Sequence, residues 1–206
     1  MHGVYSRAVE DLARKAKYTQ DDNAFNLFRL SFTTALTADA SAICAAHTLI
    51  GGGTVTNFTT GALTPTTLNT AMVALREMKD QAGVIVGCIG TILLVPSALF
   101  KKACEVTDSA LIADSTNNNL NVFRSAYGIT VYSTPYLGAA SGGSDTAWWL
   151  LSREHSVTRV IRQGIQTALT SWEYSKNRTY YYQANFREEV FCSDYVGIYG
   201  STGAVA

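Results

Sequence analysis

The stretch GTILLVPSALFKKACE (residues 90–105) joins two opposed patterns at one proline. Residues 91–95 are apolar and rich in β-branching, which predicts a buried strand. Pro96 ends it, Ser97 is placed to cap, and 98–106 has the spacing of an amphipathic helix. Many enzymes hold a nucleophile or a phosphate at such a corner. The residues here do not ask for that chemistry. Pro96 precludes a G-x-S-x-G elbow, Ser97 reads as a helix cap, and Leu93, Val95, Leu99, Phe100 and Cys104 read as core. The corner predicts architecture, a strand passing into a helix within an α+β protein.

The same mixture extends on both sides. Upstream, LTPTTLNTAMVALREMKDQAG (residues 63–83) is the clearest helix. Thr64 is its N-cap, Pro65 its first residue, Leu68, Ala71, Met72, Leu75 and Met78 its apolar stripe, and Gly83 its stop. Residues 5–32 predict one long helix with Val9, Leu12, Ala13, Ala16, Ala24, Leu27 and Phe28 at three- and four-residue steps. Its middle, 17–23, is polar, so the helix is half exposed or bent there, and Asp11 and Lys15 are spaced as an i,i+4 pair. Between these helices, residues 33–62 are rich in Thr, Ala and Gly. They read as loop and short strands, with a helical turn at 38–46 and a turn or hinge at Gly51, Gly52 and Gly53.

Downstream, 108–126 reads as loop, YGITVYSTPYL (127–137) as a strand ended by Pro135, and GAASGGSD (138–145) as a turn. TAWWLLSRE (146–154) reads as a strand buried on both faces. Beyond Ser156 the pattern alternates and is rich in Tyr, predicting antiparallel strands over 159–161, 180–191 and 196–199. The tail STGAVA predicts a mobile end.

The 206 residues suit one large domain or two lobes, with 47% hydrophobic and 16% charged side chains. Lys+Arg and Asp+Glu both number 16, so there is no large basic field of the kind tight nucleic-acid binding uses, although net charge leaves room for a locally basic face. Low charge with 11 tyrosines fits a protein that buries surface against neighbours. No apolar run approaches the ~20 residues of a membrane span, and the first 17 residues lack the apolar region of a signal peptide. The four cysteines, Cys44, Cys88, Cys104 and Cys192, are widely spaced and read as reduced thiols of a soluble, intracellular protein.

Candidate chemistry is sparse. GGGT at Gly51 lacks the Lys-Ser/Thr of a phosphate loop. CAAH, with Cys44 and His47 three residues apart, has the spacing of two metal ligands or of a thiol–imidazole pair, but His2 and His155 stand alone and no further zinc ligand is suitably spaced. Arg187 and Glu189 share one strand face and Glu188 the other, the pattern of a solvated or inter-subunit salt-bridge face. Asp21 and Asp22 read as a solvated helix face. No catalytic, cofactor-binding or metal-ligating residue is assigned, and no cofactor is expected.

The order of segments then carries a resemblance. ALTPTTLNTAMVALREMKDQAG, TILLVPSALFKKACE, YGITVYSTPYL, AWWLLSRE and VGIYGSTGA, in that succession, resemble the major capsid proteins of tailed phages, in particular the Mu-like major head subunit group. CAAHTLIGGG echoes that group's Ser/Thr-Ala-His-Pro element before a glycine turn. LLVPSAL, TPYL with AWWLL, and VGIYGS match its later elements.

The resemblance implies the Hong Kong phage capsid fold: a peripheral domain with a spine helix (1–62), a mixed α/β axial domain (63–156), and antiparallel return strands of the peripheral domain (157–206). It implies a non-enzymatic subunit of an icosahedral head, self-assembling as hexamers and pentamers. Weak contact with packaged double-stranded DNA, portal and scaffold proteins as further partners, and assembly in the host cytoplasm also follow. Loops 108–121 and 138–145 become the tips that face the ring axis, and the spine helix with the Tyr-rich strand 180–186 the contacts between rings. Family members carry an N-terminal arm and an extended β-hairpin before the spine helix. This chain begins almost at the helix, which implies a truncated, processed or fragmentary form. The rivals are an encapsulin-like shell protein enclosing cargo enzymes and a small cysteine-dependent enzyme built on Cys44 and His47.

Overall fold

The computed structural model describes residues 2–111, 120–170 and 181–203. In chain order the main elements are helix α1 (His2–Arg29), strands β1 (Ala46–Thr48), β2 (Thr54–Thr56) and β3 (Phe58–Thr59), and helix α2 (Pro65–Arg76). Strand β4 (Gly90–Pro96), helix α3 (Phe100–Asp108), and strands β5 (Thr130–Thr134), β6 (Trp148–Ser152), β7 (Val157–Thr170), β8 (Tyr181–Cys192) and β9 (Ile198–Ser201) follow. The class is α+β, as the sequence predicts. The chain divides into two units, one of residues 1–25 and 158–191, the other of residues 26–157 and 192–206.

The larger unit is organised by a mixed five-stranded sheet of order β3-β9-β6-β4-β5. β6 sits at its middle, antiparallel to β4 and to β9, while β5 runs parallel to β4 and β3 parallel to β9. All five β6 residues are buried, as WWLLS predicts. Both indoles find acceptors. Trp148 Nε1 donates to the Gly61 carbonyl at 3.1 Å and Trp149 Nε1 to Ser31 Oγ at 3.0 Å, so the large rings are buried without an orphaned N–H. Phe28 meets Trp149 edge-on and Phe32 stacks on it.

Helix α2 starts as predicted. Thr64 Oγ1 accepts from the Thr67 N–H, Thr67 Oγ1 accepts from the Thr64 N–H, and Pro65 opens the first turn. Leu68, Ala71, Met72 and Leu75 face the core with Leu93, Val95, Trp148 and Leu150. The helix ends at Arg76, seven residues before the predicted Gly83 stop. Beyond Glu77 the chain folds back. Lys79 bridges Ile85, Val86 N–H donates to the Met78 carbonyl, and Asp80 Oδ1 accepts from the Val84 N–H at 2.9 Å. The β-branched Val84, Ile85 and Val86 take extended backbone in preference to a fourth helical turn, and Gly83, at φ +84°, serves that turn.

The decisive corner differs in detail. Pro96 is the last residue of β4, and a short 3-10 turn, Ser97–Leu99, leads into α3. Ser97 makes no capping bond. The buried stripe of α3 is Ala103, Val106 and Thr107, in phase with the half-buried Leu99, so Phe100, 48% exposed, lies off the core. No helical turn occupies 38–46. β1 and β2 form a hairpin around the three glycines, with Gly52 at φ +87° and Gly53 at φ +99°, where a Cβ is disfavoured. Residues 123–127 form a single π-helical turn that spans the end of the predicted loop and the first residue of the predicted strand.

α1, of which residues up to 25 belong to the smaller unit, is one continuous helix through its polar middle, where Gln20 is buried, as Ala16 is just before it. Asp11 pairs with Arg14 at 3.3 Å instead of with Lys15, and Lys17 pairs with Asp21 at 3.1 Å. The strand predicted over three residues at 159–161 is the fourteen-residue β7, paired with β8. The predicted mobile tail lies partly outside the described residues.

Candidate functional site

CAAH is the only sequence element with the spacing of reactive chemistry, and its local fold separates the two side chains. Cys44 lies before β1 and His47 within it, so the three-residue helical spacing never forms. His47 is fully buried. Its Nδ1 meets Asp39 Oδ2 at 2.6 Å, its Nε2 faces the Ile43 carbonyl at 3.3 Å, and its ring stacks on Tyr195 with centroids 3.9 Å apart. Neither nitrogen is directed to the thiol.

Asp39 collects further donors, Thr37 Oγ1 at 2.5 Å and the Ser41 N–H at 3.0 Å. Burial works against its charge, but the hydrogen bonds from Thr37, His47 and Ser41 outweigh it and hold the carboxyl below the ordinary value of 3.8. Tyr195 Oη donates to the Lys79 carbonyl at 2.8 Å. Asn57, also fully buried, binds the Ile43 and Ile198 carbonyls through Nδ2 and accepts from the Ala45 N–H.

Burial pushes the Cys44 thiol up to about 12, despite the Ser31 hydroxyl beside it. A thiol so poorly ionised is a weak nucleophile. Gly200 lies against it so closely that a Cβ there would come within 2.6 Å of Cys44 Sγ and 2.9 Å of Phe32. The arrangement is a polar clasp that ties the 37–47 segment to Asn57 and Tyr195. Sequence reasoning singled out His47 and missed its partners. The one local signal was T-A-D-A-S, a carboxylate flanked by hydroxyls in a turn.

Among the described residues no cluster of three His, Cys, Asp or Glu side chains is arranged to hold a metal. No helix is long and apolar enough to cross a membrane. Of the REE run, Glu188 is salt-bridged within the smaller unit. Arg159 Nε donates to Glu188 Oε2 at 3.0 Å, and that carboxylate is almost wholly covered.

On the β7–β8 ribbon Val160, Ile161, Tyr181, Tyr182 and Phe191 are exposed. In the larger unit, loop 138–145 is held from below. The Arg29 guanidinium donates to the Tyr136 and Ser141 carbonyls, and Asp145 Oδ1 accepts from the Ala139 N–H. Of loop 108–121, residues 112–119 lie outside the described residues. A family model described as phage capsid protein matches residues 1–200. The chain belongs to the phage capsid protein family. No curated protein matches it in sequence. As a capsid protein it is structural, a component of the phage head and so of the virion, which is in keeping with exposed aromatic strands and a clasp whose polar atoms are spent on one another.

Proposed function

We propose that this capsid protein is the major head subunit of a tailed phage of the Mu-like group, with the Hong Kong phage fold, assembling through rings of five and six into an icosahedral shell around double-stranded DNA. The family match over residues 1–200 carries the reading. The fold supplies parts of suitable kind. α1, at 28 residues, spans roughly 42 Å and serves as the spine. Residues 63–156 serve as the axial domain, and β7 and β8 as the return strands beyond it. Heterologous contacts that close on themselves make the rings. Loop 138–145 faces the axis, and the spine with the Tyr-rich strand joins ring to ring. DNA is met weakly, as zero net charge allows. Portal and scaffold proteins are further partners, and the shell is built in the host cytoplasm. Neither catalysis nor a cofactor has a part in this mechanism.

Negative-stain electron microscopy with light scattering tests it. Shells, tubes or rings of five or six are expected. Particles of another symmetry, or a cargo enzyme co-purifying inside a closed shell, would overturn the phage-head reading in favour of the encapsulin-like one.

A further inference from the structure

The five-stranded sheet of the larger unit ends differently at its two edges. β3 offers two residues, a strand too short to template another. β5 offers five, Thr-Val-Tyr-Ser-Thr, β-branched or aromatic at four positions, with no charge and no proline before the strand ends. It is bound to β4 in unbroken parallel register, from Ile92–Thr130 to Pro96–Thr134. Among the described residues no strand or bridge pairs with its outer side. Such an edge is usually blunted by a charge, a proline or a bulge. β5 carries none of these, and its Tyr132 is 56% exposed.

Both faces beside this edge are hollowed. On the side of α3, Val131 and Ser133 with Ser97 and Phe100 line a groove of about 540 Å³. Phe100, which lies off the core, forms part of its wall. Thr130 and Tyr132 alternate to the other face. There, with Thr91, Ile92 and Arg153, they line a second hollow of about 260 Å³. A strand added at the edge sends successive side chains to opposite faces, so each hollow receives one set.

Arg153 sets the chemistry of the occupant. It is exposed at the second hollow, and among the described residues no carboxylate pairs with it. No other charged side chain lines either hollow. A carboxylate on an incoming strand complements this charge, and a lysine there is repelled. The edge itself offers donors and acceptors in alternation, which polypeptide backbone matches and an acceptor-only phosphate chain does not. A second copy is the poorer match. Its one described strand with carboxylates is β8, where Glu188 is bound to Arg159 and Glu189 shares its face with Arg187.

We propose that the outer edge of β5 takes an extended acidic segment of a separate protein as a sixth strand, with an Asp or Glu of that segment on Arg153. This surface adds a partner to the capsid reading and is independent of how subunits close into shells.

The test is fluorescence anisotropy of labelled strand-length peptides on the full chain, with hydrogen exchange read by mass spectrometry to place them. The probe alternates Val and Thr around a central Glu. One twin carries Gln there, and another is N-methylated at alternate amides. The Glu peptide is expected to bind with Kd below about 1 mM, about fivefold more tightly than the Gln twin and about tenfold more tightly than the methylated one. Exchange slows at residues 130–134. Arg153→Gln, its fold confirmed by circular dichroism, abolishes the Glu-over-Gln preference and leaves the Gln twin's affinity unchanged. No binding up to about 1 mM, equal binding of the methylated twin, or protection away from β5 would overturn the sixth strand. An Arg153→Gln variant that still prefers Glu would overturn the acidic assignment. Protection of β5 that rises with protein concentration in the absence of peptide would give the edge to a second copy and overturn the separate partner. Ring and shell formation, read by microscopy, is unaffected by any of these results.

Discussion

Replacing Asp39 by Ala tests whether the CAAH region is a clasp. The substitution removes the acceptor for Thr37 Oγ1, for the Ser41 N–H and for His47 Nδ1. The three losses are unequal. Thr37 Oγ1 still reaches the Ser41 carbonyl at 3.2 Å. His47 is fully buried, so its Nδ1 is left without a partner, at a cost of about 2 kcal/mol, and the two remaining bonds add about 1 kcal/mol. A total near 3 kcal/mol lowers the melting temperature of a chain this size by roughly 6–12 °C. Thermal melts followed by circular dichroism read it directly.

The pH dependence is the sharper arm. The folded-state carboxyl is depressed below 3.8, so its stabilisation is complete above that value and is lost as pH falls through the lower folded-state value. The gap in melting temperature between wild type and Asp39→Asn is therefore widest from pH 5 upward and closes below pH 3.8. A fall of under about 3 °C for Asp39→Ala, or a gap to Asp39→Asn unchanged down to pH 2.5, would refute the clasp.

Other outcomes follow from the same packing. Cys44, with its thiol pushed up to about 12, is roughly one ten-thousandth ionised at pH 8, so a thiol reagent labels the half-exposed Cys104 first and Cys44 only on unfolding; rapid labelling of Cys44 in the native state, read by peptide mass, would contradict its burial. Gly200→Ala forces a methyl against Cys44 Sγ and Phe32 and is expected to cost about 2 kcal/mol in chemical denaturation, where a neutral result would show that the contact yields. Thr64→Ala removes the capping box of α2 and costs about 1 kcal/mol by the same assay, against near zero were the cap idle. Ala40, at φ +62° between Asp39 and Ser41, sits where glycine is preferred, so Ala40→Gly raises stability by about 0.5 kcal/mol; a loss would mean that unfolded-chain entropy dominates there.

Much of the central architecture was legible because local pattern and final burial agree there. WWLLS carries no polar residue over four positions and becomes the middle strand. T-P-T-T carries its own cap and folds as read. The errors fall where a local signal had two outcomes of similar energy. Gly83 stops a helix or turns a hairpin, and Asp80, by binding the Val84 N–H, selects the hairpin. Phe100 and Leu99 are adjacent apolar residues, and only the phase set by Ala103 and Val106 decides which is buried. The partners of His47 come from Asp39 and Tyr195, 8 and 148 positions away, so no window of sequence displays the clasp.

The run at 84–89 fails differently, and the failure bears on function. Its apolar, β-branched composition records that these side chains are better out of water; it carries no record of whose surface covers them. In a monomer that works alone the two questions have one answer, and a strand-like run is a core strand. In a subunit that assembles, part of the burial is deferred to a neighbour, and the sequence writes both kinds in the same residues. The fold separates them. Leu93 and Val95 pack with α2 and β6 within one chain, whereas Val84 and Ile85, eight to eleven residues earlier, are more than half exposed.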